Sequence, residues 1–494
     1  MKQTLLKTMT LGLLCLVGVS AWADNTVTVT TGGSSTEYAT LKAAIEASVL
    51  ANATADMTIT ISDNQSLGEK VVSWEKAFTL TIKATKDITI KGPNGSRWFT
   101  VKNAGANLIV GDGNYEITLD GEYNGTAGSK ERTQPVALRN NTTASITFNK
   151  VTFANFNLNN AVNMIVAENG GGSITLQDVT INNCVNPKNG YIDNQRVEND
   201  KVLLKGYLNI DEASNGTAFY LALETKTTGS NGRIKIMDDN FTASKPLSIE
   251  YHETSSSYTP TIGASLVIKD NSLNNFTDAQ TKMFTLTDSE KGLVKNNKDL
   301  KLTQAYTLDV NSYGAATLVL PFESTIPTGV SAYKVSYTSG ENSVTATEVT
   351  GGTLPAATPV LINAAEGKHK FVSTATSGDA ATGSGTVTVG ALVGNYDESL
   401  TVSSGYVLYA DATHTVGFYK AGTGVTIGAN RAYLKSDGGS LARLAIVFDD
   451  EATAINAVEA ARADSNQYYN LQGVRVDRPT RGIYVKNGKK IVIK

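Results

Sequence analysis

Cysteine is nearly absent from this chain: its 494 residues contain two, Cys15 and Cys184. Residues 1–23 read as an export signal. Lys2 and Lys7 form its charged start, TLGLLCLVGV its apolar centre and Ala21-Trp22-Ala23 a cleavage site. Leu14 stands where a lipoprotein signal around Cys15 would want a small residue, so cleavage is expected after Ala23. That leaves Cys184 alone, which excludes an intramolecular disulfide. It follows the alternating stretch VTINN and is expected to pack as a small hydrophobe. Histidine is equally scarce, with only His252, His369 and His414. No zinc-ligand spacing, Ser-His-Asp constellation or phosphate loop is present. Charged residues make up 18%, the formal net charge is −3, and there is no basic block. This excludes electrostatic binding of nucleic acid or anionic lipid. The leader's apolar run is too short to span a bilayer comfortably, and the mature chain is expected to carry no transmembrane segment.

What the chain does have is repetition. The phrases MTITISDN, DITIKGPN, EITLDGEY, SITFNKVTF, SITLQDVTI, KVLLKGYL, RIKIMDDN and SLVIKDNS recur between residues 57 and 276. One apolar residue from each gives a first column: Ile59, Ile88, Ile117, Ile146, Ile174, Leu203, Ile234 and Leu266. Leu80, Leu108, Val136, Ile165, Ile192, Leu221 and Ile249 make a second, and Phe153, Ile181 and Ile210 a third. A fixed period of about 28 residues built from alternating Ile, Thr and Val is the signature of stacked strands. Three strands per coil over about eight coils predict a parallel β-helix across 24–299, with Ile59, Ile88, Ile117, Ile146 and Ile174 inward in one ladder. The stretch 38–51 predicts a capping helix with Leu41, Ile45 and Val49 on one face and Thr40 as N-cap. Asp63, Gly92, Gly121, Lys150, Asp178, Tyr207, Asp238 and Asp270 follow the first column by four residues and predict bends. Asn155 and Asn183, 28 apart, are expected to bond to each other on neighbouring coils. The long polar connections 121–134, 186–200 and 251–260 are where a binding face would grow.

Beyond residue 277 the period is lost. Residues 300–449 hold short alternating strands, among them ATLVLPF, SAYKVSY, TPVLIN, HKFVST, GYVLY, RAYLK and LAIVF, and predict a β-sandwich. Residues 450–466 read as a linker and 467–494 as a short β segment with an Asn487-Gly488 hairpin turn. The expected class is all-β.

The phrases EITLDGEYNG and SITFNKVTFANF resemble the pectate-lyase-like superfamily, over about residues 28–276. The resemblance implies a right-handed parallel β-helix. That scaffold carries lyases, glycoside hydrolases, esterases and catalytically silent adhesins, so function must come from the residues. Hydrolases of that type need an Asp-Asp pair, then Gly-His-Gly, then Arg-Ile-Lys. Here Arg233-Ile234-Lys235 precedes Asp238-Asp239 and no Gly-His-Gly exists. Asp238 and Asp239 are therefore expected to be turn residues with no acid or base partner nearby, not a catalytic carboxylate pair. The lyase arginine setting is approached only by Arg478-Pro479-Thr480-Arg481, with the wrong spacing. Asp112, Glu116, Asp120 and Glu122 crowd one coil and could offer oxygen ligands to a hard cation, but solvated turn acids are the plainer reading. Trp74, Trp98 and Tyr123 are either sugar-stacking platforms or core. No catalytic, cofactor or metal residue is expected.

YGAATLVLPFEST, LPAATPVLIN and NRAYLKS resemble a β module recurrent in surface and secreted proteins of Gram-negative anaerobes. The tail, with Asn470-Leu471-Gln472-Gly473, Gly482-Ile483-Tyr484 and a terminal KIVIK, resembles the C-terminal sorting domain of type IX secretion. That implies export to the medium or the outer cell surface of a Gram-negative bacterium, with the secretion machinery as a partner. The expectation is a non-catalytic glycan- or host-surface-binding protein, adhesin-like. The alternative is a polysaccharide lyase or glycoside hydrolase.

Overall fold

The structure, a computed structural model, describes residues 25–449 apart from 48–49, 94, 96, 127–134, 140–142, 162, 169–171, 189, 195–201, 224–232, 254–261 and 437–439. In the tail it describes 468–469, 475–476, 482–486 and 489–493. The expected leader and linker therefore lie outside the described residues. The protein is all-β: the described residues contain two short helices, Leu41–Glu46 and Asp278–Thr281, among many strands. The chain divides into two compact units, Met1–Thr303 with Ala375–Asp379, and Gln304–Thr374 with Ala380–Lys494.

In the first unit alternation becomes parallel pairing, because a period-two pattern puts every second side chain on one face. Three parallel ladders result. The first runs from Met57–Ile61 through Thr79–Ala84 and Asn107–Val110 to the front halves of Ser145–Ala154, Ser173–Asn182 and Val202–Ile210. It ends at Ile234–Ile236 and Ser265–Lys269. The second runs from Gln65–Ser66 through Ile88–Lys91 and Ile117–Asp120 into the back halves of the same long strands. The third is an eight-stranded sheet from Val72–Trp74 to Phe284–Leu286. Its inward column is Val72, Phe99, Val136, Ile165, Ile192, Phe219, Ile249 and Leu286.

The five isoleucines of the first column are all buried, at most 3% exposed. They do not form one ladder. Ile59 pairs with Ile82, Ile88 with Ile117, and Ile146 with Ile174, while Ile117 meets Val151 rather than Ile146. The reason is uneven coil length: Ile59 pairs with Ile82 after only 23 residues, so a constant step of 29 overshoots onto the second ladder at Ile88, and Ile117 pairs with Val151 after 34, so the same step falls back onto the first ladder at Ile146. The second column is split in the same way. Leu80 and Leu108 belong to the first ladder and Val136, Ile165, Ile192 and Ile249 to the third, where Phe219 rather than Leu221 continues the column. Phe153, Ile181 and Ile210 pair in the register expected of them.

Antiparallel strands cover both ends. Val27–Thr31, itself paired with Ser34–Tyr38, lies on Met57–Ile61, and the first residues of Asp299–Val310 lie on Ser265–Lys269. Covering removes the open edge that a parallel stack would otherwise present. The helix expected at 38–51 is shorter, Leu41–Glu46, but Thr40 caps it as read, its hydroxyl accepting the Ala43 amide at 3.1 Å. Leu41 and Ala44 are its buried residues, with Ile45 half-buried against the core.

In the second unit a ten-stranded sheet holds most of the strands expected between 300 and 449. Its described pairings are antiparallel, except that Ser343–Glu348 runs parallel to Arg443–Phe448. Val360 and Ile362 enter one core with Leu318 and Phe371; Leu361 enters another with Tyr406 and Phe418. Neighbours on one strand thus serve two cores, so this strand is buried on both faces. In the tail, Tyr468–Tyr469, Arg475–Val476, Gly482–Lys486 and Lys489–Ile493 form a four-stranded sheet, the last two antiparallel; the turn residues expected between them, Asn487 and Gly488, lie outside the described residues.

Candidate functional site

The acids singled out in the sequence are each engaged separately. Asp238 Oδ1 accepts the Asn240 amide at 2.9 Å, an Asx turn. Asp239 does have a charged partner: its carboxylate accepts Lys269 Nζ at 2.5 Å, together with the backbone and side-chain nitrogens of Asn274. Lys269 and Asn274 hold that carboxyl below its usual range. Lys269 is 2% exposed and sits 5.6 Å from the Phe276 ring centroid. It occupies the inward position continued from Ile59, Ile82, Val110, Phe148, Leu176, Leu204 and Ile236. Sequence reading missed it because Lys269 was counted as a polar residue beside Leu266. Extending the alternation of SLVIK in the true register would have marked it as inward. Lys235, from the Arg-Ile-Lys string, pairs instead with Asp270 at 2.9 Å.

Asp112 accepts the Asn114 amide, Asp120 the Glu122 amide and Asn155 Nδ2, and Glu122 pairs with Lys91. Glu116 Oε1 lies 3.4 Å from the Thr118 hydroxyl. These four do not converge, and no group of three His, Cys, Asp or Glu among the described residues is placed to hold a metal ion. Trp74 and Trp98 are core residues with their indole N–H groups on the Phe78 and Pro93 carbonyls. Tyr123 is half-buried. The Cys184 thiol is buried and pushed up to about 12 by desolvation. The side chain of His252 and residues 478–481 lie outside the described residues. His369 Nε2 is 2.8 Å from the Ala365 carbonyl.

Asn155 and Asn183 stack as expected, Asn183 Nδ2 donating to Asn155 Oδ1 at 2.9 Å. Asp120 extends the row at one end and Asp211 at the other. Both asparagines hold left-handed backbone, φ 57° and 50°, which asparagine tolerates better than most residues. A second row, Asn157, Asn186 and Asn215, steps by 29 residues and went unnoticed.

A concentration of solvent-facing aromatic and polar side chains that coincides with a cavity lies in the second unit. A groove of about 360 Å³ is lined by Asp309, Asn311, Tyr313, Thr317, Tyr409 and Arg431, over an apolar floor. Tyr313 and Tyr409 are 41% and 47% exposed. Tyr409 is nevertheless fixed. Its hydroxyl donates to Asp411 Oδ2 at 2.8 Å, and its ring meets Tyr419 and His414 edge to face at 5.9 and 5.8 Å. Asp411 also accepts from His414 Nδ1 at 2.8 Å and from the Thr413 amide, and these bonds hold its carboxyl well below the usual range. The same carboxylate raises the Tyr409 phenol above its ordinary value. Chemically the groove offers aromatic rings, an amide, a carboxylate and a guanidinium for contact.

No family model, curated protein or solved structure matches the chain. The reading of function therefore rests on these side chains.

Proposed function

We propose that this is an exported protein of the outer cell surface or medium, built on a right-handed parallel β-helix, that binds a glycan or host-surface ligand without transforming it. The observation that supports it is the employment of the acids: Asp112, Asp120, Asp238 and Asp239 each hold a turn, an asparagine row or a buried lysine. The Asp239 carboxyl, held below its ordinary range by Lys269 and Asn274, is not poised as general acid or base, which needs a pKa near the working pH. The test exposes residues 24–494 to a glycan array, in parallel with reducing-sugar and unsaturated-product assays, with and without calcium. Binding without product is the expected result; product formation would replace this reading with a lyase or hydrolase.

The tail serves as an export address read by type IX secretion machinery. Its described strands pair among themselves, the arrangement a separately recognised element needs. Deleting 468–494 is expected to leave folded protein in the periplasm and remove it from the cell exterior. Display of the truncated chain would refute the address, and failure of the truncated chain to fold would mean that the tail caps the second unit.

A further inference from the structure

We infer that the groove between Tyr313 and Tyr409 in the second unit is a carbohydrate subsite for a short stretch of neutral, pyranose-based oligosaccharide. The inference rests on the binding reading above and assigns it to particular residues.

Rigidity is the first argument. An exposed tyrosine ordinarily keeps its rotamer freedom, and ordering it costs entropy. Tyr409 has been ordered in advance: Asp411 anchors its hydroxyl, while Tyr419 and His414, themselves 5.4 Å apart, pack T-shaped against its ring. The Arg443 guanidinium lies 5.7 Å from the centre of the Tyr419 ring and backs the brace. The hydroxyl is occupied and the ring is held, yet nearly half of the residue remains open to solvent. A preorganised, amphipathic ring is what gives contact area at low entropic cost.

The second argument is the company it keeps. Tyr313 follows a turn in which Asn311 Oδ1 accepts its backbone amide at 3.1 Å, which brings a second exposed aromatic residue to the groove. The same groove is lined by Asp309, Asn311 and Arg431, one of whose nitrogens is 3.2 Å from the Thr317 carbonyl. Ring faces match the C–H face of a pyranose. Planar carboxylate, amide and guanidinium groups each bond two neighbouring hydroxyls in parallel. An apolar ligand would strand those polar groups, which is costly. The Asp309 carboxylate offsets the Arg431 guanidinium in the groove, so the lining carries no net positive charge to recruit an acidic sugar. About 360 Å³ is at the small end of the roughly 300–1,000 Å³ usual for small-molecule sites, which suits a short segment of chain.

The experiment uses residues 24–494 and named probes: neutral gluco-, galacto-, manno- and xylo-oligosaccharides, with oligogalacturonides as the acidic comparison. Binding is measured by calorimetry for the parent, Tyr409→Ala, Tyr409→Phe and Tyr313→Ala, with near-ultraviolet circular dichroism reporting the fold. At least one neutral series is expected to bind, with affinity falling about tenfold or more in each alanine variant, as for an aromatic anchor. Tyr409→Phe, which keeps the ring and its contacts with Tyr419 and His414, is expected to retain most of the affinity. Asp309→Asn is expected to narrow the discrimination against oligogalacturonides. Equal sugar binding by parent and folded alanine variants would overturn the subsite and leave the broader binding reading standing. A parent that prefers the acidic probe also overturns it. If the parent binds no sugar but self-associates through Tyr409, as sedimentation of parent and Tyr409→Ala would show, the tyrosines belong to a contact between copies and the subsite is wrong.

Discussion

The two units bury strands by opposite rules. In the first, a residue meets the residue one coil away: Asn183 bonds to Asn155, 28 positions back, and Ile174 pairs with Ile146. In the second, Thr317 bonds to the Ala432 carbonyl, 115 positions on, and that bond is typical of a sheet whose strand order is shuffled. A stack that contacts only its neighbours writes its geometry into the sequence as a period. Long-range antiparallel pairing leaves no such trace, because each contact joins two unrelated stretches. The ends of the stack show where the periodic rule stops. Gln65 begins the inward column of Ile90, Leu119 and Phe153, and its side chain accepts the Leu41 amide of the capping helix at 2.7 Å. Lys269 ends another column and reaches Asp239 and Gln280, the latter on the helix Asp278–Thr281. At each end a buried polar side chain replaces an apolar one and ties a cap down.

The comparison breaks most easily in the middle of the stack. Ile117→Asp puts a charge at a fully buried inward position and is expected to cost several kcal/mol, unfolding the stack in a denaturant titration. A parent-like midpoint would mean that the inward assignment is wrong. Gly111 follows next. Its φ is +86°, and a Cβ there would lie 1.9 Å from the Asn149 carbonyl oxygen, so Gly111→Ala should cost about 2–3 kcal/mol by the same titration. At the C-terminal end, Asp239→Ala strands the buried Lys269 ammonium and should lower the thermal midpoint clearly. Lys269→Met, which continues the apolar column, should stay close to the parent. Because the folded Asp239 carboxyl lies below its ordinary value of 3.8, it adds stability above that pH, and this is lost as pH falls through the folded value. Acid denaturation below about pH 4 should therefore be less steep in Asp239→Asn than in the parent. Asn183→Ala removes one rung and a left-handed asparagine and should cost about 1–2 kcal/mol; Asn183→Gly, which accepts that backbone, should cost less. The smallest effect is chemical. The buried Cys184 thiol should resist alkylation at pH 8 in the folded chain and react promptly in denaturant.

The strands, the alternation that turns most of their apolar residues inward, the Thr40 cap and the Asn155–Asn183 rung were legible in the residues themselves. Each depends on local pattern or on a spacing that repeats. The inward Lys269, the half-buried Leu203 and the placing of Lys150, Asp178 and Tyr207 inside strands rather than between them were not. Nor was the partition of the isoleucines between two ladders, since coil length changes from 23 to 34 residues without disturbing the neighbouring phrases. Tyr313, Tyr409 and Arg431 carried no signal at all. They come from a turn and two strands far apart in sequence, and each alone reads as an ordinary surface residue.

The sequence by itself determined that the chain is β, that its first half stacks by a period of about 28 residues, and that most apolar side chains of the alternating phrases face inward, because alternation and repetition are properties of a one-dimensional string. Only the tertiary structure decided which ladder each strand joins, that Asp239 has a buried lysine for a partner, and that two tyrosines share a groove. Register and convergence depend on the length and path of the connections and on how the strands are ordered in the sheet, and neither is written in any single phrase.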